Sequence, residues 1–576
     1  MPPDPISTHP IPAVPIQVAP VPVDAIPVIE PGVLPPPDGA VAQLGGKAFN
    51  LMVLAAAGLP VPPGFVLPTT LCAQWLAAGA PPADAFRALV AGPLHRLEQA
   101  TGLAFGDPNR PLLVSIRSGA PVSMPGMLDT LLNVGLTRAT LPGLIALSGN
   151  PRLAWDCFAR LIRAFGQIVR GLDPALFDDG LTAILRAGQA ASAAELDSLS
   201  LRDLALRYLD IFESAGGVPF PDTPMDQLAQ GVDAVFRSWN SERAQTYRRL
   251  RNLTGLPGTA VTIQRMVYGN SGPQSGSGVG FTRDPATGER RLYLDFAFNA
   301  QGEDLVAGRT LVAPAAELAR AMPQTGPTTG PTTGPTTGPT TAQAQAITQT
   351  LARIATQLEH QFHDMQDFEF TVEEGQLYLL QTRAGKCAAR ARLRIAVDMA
   401  RENLISIPEA LRRVEGLDAA ALTRRRLAGP PQDAIARGVP AGGGAVTGAV
   451  VLSRDAARTL AGQGRRTILV TTDLLTEDID AITGTDGLLA AHGGRTSHAA
   501  VVAREFGKVA IVGCPGLTIA PDRQSCRIAG HPFPQGADIT LDGETGQVFA
   551  GHVPMTEDRP EADLAQIAAW RAAPPA

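Results

Sequence analysis

An imidazole with an ordinary pKa of about 6.5 is a nucleophile at neutral pH, and the N–P bond it forms is labile. A histidine near unpaired backbone amides is therefore equipped to carry a phosphoryl group. His498 stands within Gly493-Gly494-Arg495-Thr496-Ser497-His498-Ala499-Ala500-Val501-Val502-Ala503-Arg504. Asp486 to His492 reads as a short strand, and Gly493 and Gly494 make a tight turn. Thr496 is an N-cap for a helix running from Ser497 to Phe506, which Gly507 stops. His498 then falls in the first helical turn, where the amides and the positive end of the helix dipole favour a dianion. The same spacing also suits a histidine that only packs at a strand-to-helix turn.

A second set of groups suits a nucleotide. Leu44-Gly45-Gly46-Lys47 leads into a helix over 48–57, and small residues with a lysine on the turn fit phosphate contact. Pro111 to Arg117 reads as a strand that delivers Arg117 into a small-residue loop from Ser118 to Asp129. That loop fits either a cover over a triphosphate or an ordinary surface turn. Asp367 and Glu369 are two apart, hence on one face of a strand. Two carboxylates beside triphosphate oxygens make a Mg²⁺ site, although such a pair also suits a solvated strand face. Leu377 to Arg383 supplies the neighbouring hairpin strand, with Gln381 and Arg383 at its end. Tyr293 to Asp304 alternates as a strand and ends in the acidic Glu303 and Asp304.

Together these strings resemble the family of pyruvate, phosphate dikinase and phosphoenolpyruvate synthase (water dikinase), over roughly Val41 to Val553. The resemblance implies that His498 shuttles phosphoryl groups between two remote active sites, with Gly493, Gly494, Thr496 and Ser497 shaping its motif. It implies an ATP-grasp domain in which Lys47 and Arg117 hold ATP phosphates. The loop with Ser118, Gly119, Met124 and Gly126 would cover them. Asp367, Glu369, Gln381 and Arg383 would line the nucleotide and Mg²⁺ site, with Glu303 nearby. Three positions depart from the family patterns. Pyrophosphate-forming dikinases usually have Met where Arg495 stands, and water dikinases usually have Cys where Ser497 stands. Family members commonly carry Glu at Asp295.

A length of 576 residues suggests three or four domains. The expected fold class is α/β multidomain: an ATP-grasp domain with an inserted helical subdomain, then a swivelling α/β phosphohistidine domain. The expected divisions are a Pro-rich disordered tail at 1–40, ATP-grasp parts at 41–137 and 258–387, and a helical insert at 138–257. A helical connector at 388–430, the carrier domain at 431–553 and a tail at 554–576 follow. Tandem Thr-Gly-Pro-Thr copies at 325–341 read as a loop without catalytic meaning. Net charge −6 and pI near 5.8 oppose a nucleic-acid partner. No apolar run reaches a membrane span. Five scattered cysteines without CxxC spacing, and no basic residue before Lys47, point to a cytoplasmic protein.

The family enzymes continue into an α/β barrel for pyruvate or phosphoenolpyruvate, whereas this sequence stops at Ala576 without eight strand–helix repeats. The expectation is thus an ATP- and phosphate-using half-reaction, with the barrel on a separate chain. Water as the acceptor, or a nucleotide-binding regulatory or vestigial fragment without turnover, are the alternatives.

Overall fold

The computed structural model describes residues 26–36, 40–122, 124, 127–250, 252–253, 255–306, 313–314, 341–418, 422–429, 433–472, 479–494 and 498–572. The Thr-Gly-Pro-Thr copies through residue 340 and the first 25 residues lie outside them. The chain divides into two units, Met1–Val267 and Tyr268–Ala576.

In the first unit, β1 (Val28–Ile29), β2 (Gly64–Leu67), β3 (Val114–Gly119), β4 (Thr130–Val134) and β5 (Ala260–Arg265) form an antiparallel sheet in the order β1-β2-β5-β3-β4. The disordered tail expected over 1–40 does not hold at residues 26–29, and residues 1–25 lie outside the described ones. Ile26, Val28 and Ile29 are buried, and β1 pairs with Gly64 and Phe65. A valine-rich extended segment reads as polyproline until a distant strand satisfies its backbone. The helical insert packs on aromatic rings: Phe158, Phe165 and Phe212 meet Phe220 edge-on, with centroids 6.0, 5.5 and 5.3 Å away. Its amphipathic helix spans Pro151–Arg170. The Asn150 side chain caps it by accepting from Leu153 N, and left-handed Gly171 ends it.

In the second unit, β6 (Gly276–Phe281), β7 (Tyr293–Phe298), β8 (Ala313–Pro314), β9 (Gln366–Glu373) and β10 (Gln376–Ala384) form an antiparallel sheet ordered β10-β9-β6-β7-β8. Glu374 and Gly375, both at positive φ, close the β9–β10 hairpin in two residues. One face is aromatic, and the alternate glycines of β6 make room for it. A Cβ at Gly280 would stand 2.6 Å from the Phe368 ring, and Gly278 meets Phe370 in the same way. The run of glycines at 276–280 is therefore a packing surface rather than a phosphate loop.

The connector is less helical than expected. Among its described residues Ala389–Arg401 and Ile407–Arg413 are helices, while β11 (Arg424–Leu427) is a strand. The carrier module follows as an eight-stranded sheet. Its strands are β12 (Ala436–Arg437), β13 (Val439–Gly442), β14 (Ala445–Val451), β15 (Thr467–Thr471), β16 (Gly487–Ala490) and β17 (Val509–Val512), completed by two later strands. A three-stranded sheet, β18 (Leu517–Ile519), β19 (Ser525–Ile528) and β20 (His531–Pro534), precedes that closing pair, β21 (Asp538–Asp542) and β22 (Gln547–Ala550). Strands β14 to β17 run parallel, as crossover helices require.

The segment expected as a C-terminal tail is structured. β23 (Met555–Asp558) pairs antiparallel with β11, so the chain enters and leaves the carrier module as one two-stranded ribbon. The helix Glu561–Ala572 then buries Ile567 among Leu393, Ala396, Val397, Ala410 and Val414 of the connector. Such long-range pairing leaves no trace in local periodicity. Among the described residues no helix is long and apolar enough to cross a membrane.

Candidate active site

In the first unit the Gly45-Gly46-Lys47 turn lies against the start of the small-residue loop. Gly45 breaks the helix Ala40–Ala56 at φ 73°, ψ 152°, a backbone that L side chains rarely adopt. A Cβ there would collide with the Gly119 carbonyl oxygen. Gly46 N donates to Ala120 O at 3.2 Å, and Gly119 N donates to Thr259 Oγ1 at 3.2 Å. The kink therefore brings Lys47, half-buried, beside the strand end that carries Arg117, Ser118 and Gly119. Met124 is buried, and Met127 N donates to its carbonyl. Gly126 lies outside the described residues.

In the second unit, strand register assembles the polar face. Asp295 pairs with Val279, Val279 with Glu369 and Glu369 with Gln381. In the next row Tyr293 pairs with Phe281, Phe281 with Asp367 and Asp367 with Arg383. Directly paired residues in an antiparallel sheet project to the same side. The rows thus put Asp295, Glu369, Gln381, Asp367 and Arg383, with Phe281 and Tyr293, on the face opposite Phe296, Phe368 and Phe370. A bulge makes this possible. Tyr378 pairs with Thr371 and Leu379 with Phe370, but the next pair is Gln381 with Glu369, leaving Leu380 as the extra residue. Without it Gln381 and Arg383 would follow Leu377 and Leu379 onto the aromatic side.

Asp367 is buried and accepts from Arg383 Nε at 2.8 Å, while Arg383 keeps 40% of its side chain exposed. Burial pushes the Asp367 carboxyl above its usual range, and the Arg383 guanidinium partly offsets this. Burial works to lower the Arg383 pKa, but the ion pair outweighs it and keeps the guanidinium charged. Glu369 is half-buried and Gln381 buried. Glu303 is exposed in the first turn of the helix Gly302–Val306, next to Gln301, whose Nε2 donates to Asn270 Oδ1 at 3.1 Å.

Among the described residues no group of three His, Cys, Asp or Glu is placed to hold a metal by itself. Two carboxylates with substrate oxygens and water are nevertheless the ordinary Mg²⁺ arrangement, and Asp367 and Glu369 are hard oxygen donors on one strand face. The residues fit the ion.

The carrier helix spans His498–Glu505, so His498 opens it. Ala500 and Ala503 press it onto Leu488, Ala490, Ala510 and Val512, and left-handed Gly507 follows its end. Gly493 turns at φ 107° after β16. Thr496 and Ser497 lie outside the described residues. Sequence reasoning gave no role to Arg504, 3% exposed in this helix, or to Tyr293. Local periodicity carried no signal for either.

A nucleotide-type sheet bearing paired carboxylates, followed by an α/β module whose helix begins at a histidine, defines a multidomain α/β protein of ATP-grasp and carrier type. The comparisons agree: the pyruvate phosphate dikinase AMP/ATP-binding domain matches residues 84–314 and 327–404, and the PEP-utilising enzyme mobile domain matches 463–546. The chain belongs to the pyruvate, phosphate dikinase family. Pyruvate, phosphate dikinase 2 of Zea mays is 39% identical over 530 residues, covering 92% of this chain and 57% of that protein. The Rhizobium meliloti (strain 1021) enzyme is 39% identical over 529 residues, 92% of this chain and 58% of its own. The Clostridium symbiosum enzyme is 37% identical over 531 residues, with 92% and 58% covered. The chain thus spans somewhat more than half the length of these curated relatives.

Proposed function

We propose that the chain carries out the nucleotide half of a dikinase reaction, phosphorylating His498 at the expense of ATP and inorganic phosphate. A ring nitrogen of His498 attacks the β-phosphorus of ATP, the N–P bond forms, and the Pα–O–Pβ bridge breaks with its oxygen leaving on AMP. Inorganic phosphate then takes the outer phosphoryl, releasing pyrophosphate and leaving one phosphoryl on the imidazole. Mg²⁺ held by Asp367 and Glu369 would supply charge neutralisation on the phosphate oxygens. Lys47, Arg117 and Arg383 carry the positive charge such oxygens need, and Gln381 can donate a neutral hydrogen bond. Ser118, Gly119, Met124 and Gly126 belong to the covering loop, and Glu303 to the acidic end of the site.

The observation that supports this reading most is the register that gathers Asp367, Glu369, Gln381 and Arg383 on one sheet face, in the unit that also holds the His498 helix. The phosphohistidine would then pass to a pyruvate- or phosphoenolpyruvate-binding barrel. A cytoplasmic setting fits five free cysteines, of which Cys72, Cys157, Cys514 and Cys526 are buried. Arg495 favours a second reading, in which water accepts the outer phosphoryl. Product analysis after one turnover separates the two. Pyrophosphate formed one-for-one with AMP, and only when phosphate is supplied, is the expected result. AMP with free phosphate and no pyrophosphate gives the reaction to water, and no AMP at all contradicts both.

A further inference from the structure

We propose that Arg504 is a positioning residue that docks the carrier module onto the carboxylate face of the β6–β10 sheet, an inference that rests on reading His498 as the phosphoryl acceptor. The arginine belongs to the carrier helix and is almost fully buried. Its Nη1 donates to Ala441 O of β13 at 3.0 Å, which fixes the guanidinium to the edge strand of its own module. Its guanidinium carbon stands 5.7 Å from the Phe281 ring centroid and 6.0 Å from that of Tyr293, on β6 and β7. Tyr293 Oη crosses the same boundary and donates to Pro440 O at 3.3 Å.

The two rings are not arbitrary neighbours. Tyr293 and Phe281 are the register-mates of Asp367 and Arg383, so the cation lies against the row that contains the proposed metal carboxylate. A guanidinium on the surface of an isolated module would keep its water. Burying it between a backbone carbonyl and two aromatic faces is favourable only while module and sheet are together. The contact therefore acts between bodies rather than inside one. Because Arg504 and His498 share one short helix, its seating sets where that helix begins relative to the sheet. A loss of seating displaces the imidazole without touching the nucleotide groups.

The test uses the full chain with Arg504→Met, which keeps an apolar stem, Arg504→Lys, which keeps the charge, and Arg504→Glu, which reverses it. Single-turnover labelling of the histidine from ATP should slow about 10- to 100-fold in Arg504→Met, the loss typical of misplacing a reacting group. The ATP concentration for half-maximal rate and the melting temperature should stay at wild-type values, and Arg504→Lys should recover part of the rate. An unchanged rate, or a loss that follows a lowered melting temperature in both Arg504→Met and Arg504→Lys, overturns the proposal. Small-angle scattering supplies a readout without turnover: Arg504→Glu should show a larger radius of gyration than wild type, and equal radii overturn the docking role. Absence of phosphohistidine in the wild-type chain would refute the functional reading instead, leaving scattering to judge the contact.

Discussion

Asp367 pairs with Arg383 at 2.8 Å inside the sheet, and in the proposed function the same carboxylate would also be offered to a cation together with Glu369. Asp367→Asn keeps the shape but removes the charge. The variant would lose a hard anionic ligand and replaces the ion pair between Asp367 and Arg383 with a neutral contact. AMP formation should fall by about 10²–10³-fold, as when a single preorganised electrostatic group is removed. Titration calorimetry should show weakened Mg²⁺-dependent nucleotide binding in the same variant. Normal rates in both Asp367→Asn and Glu369→Gln would make the pair an ordinary solvated strand face. At this scale the sequence was informative about residue type and spacing. The two-residue step of Asp367 and Glu369 put them on one face, and His498 was expected in a first helical turn, as its helix confirms. It was uninformative about Arg504, whose partners are rings more than 200 positions away in the chain.

The β9–β10 hairpin shows how an element can defeat simple alternation. Leu377, Leu379, Gln381 and Arg383 have the same parity, so a regular strand would send all four to one side. The bulge at Leu380 splits them, with the leucines to the aromatic face and the polar pair to the carboxylates. A bulge depends on pairing with β9, and nothing in residues 376–384 alone announces it. The glycines of β6 are the complementary case, since their spacing of two was visible but their purpose was not. Gly280→Ala adds a methyl against the Phe368 ring in a filled layer, so about 1–3 kcal/mol of stability should be lost. Thermal denaturation checks this. A melting temperature equal to wild type would mean that the layer has slack. Gly45→Ala should act differently, because it disturbs the kink that sets Lys47 beside Gly119 and Ala120. ATP binding should weaken more than stability falls, as nucleotide titration and melting curves on one preparation would show.

Across the whole molecule, the described parts separate into nucleotide chemistry and carriage, joined in the second unit by paired strands. The ribbon of β11 and β23 is stapled by Arg424, which meets Asp558 at 3.3 Å and Glu544 at 2.6 Å. Arg390 meets Asp558 at 3.0 Å. The architecture was legible in the motif strings, which lie at the elements that matter. The ribbon and the packed helix Glu561–Ala572 were not, because their partners are separated by more than a hundred residues. The account stands on His498 as the group that takes the β-phosphoryl. The most direct measurement incubates the chain with ATP labelled at the β position, Mg²⁺ and phosphate, then maps the acid-labile label by peptide mass. Close to one equivalent of label should sit on the peptide containing His498, and none in His498→Asn. Label that persists in His498→Asn, or that maps to His492, would contradict it.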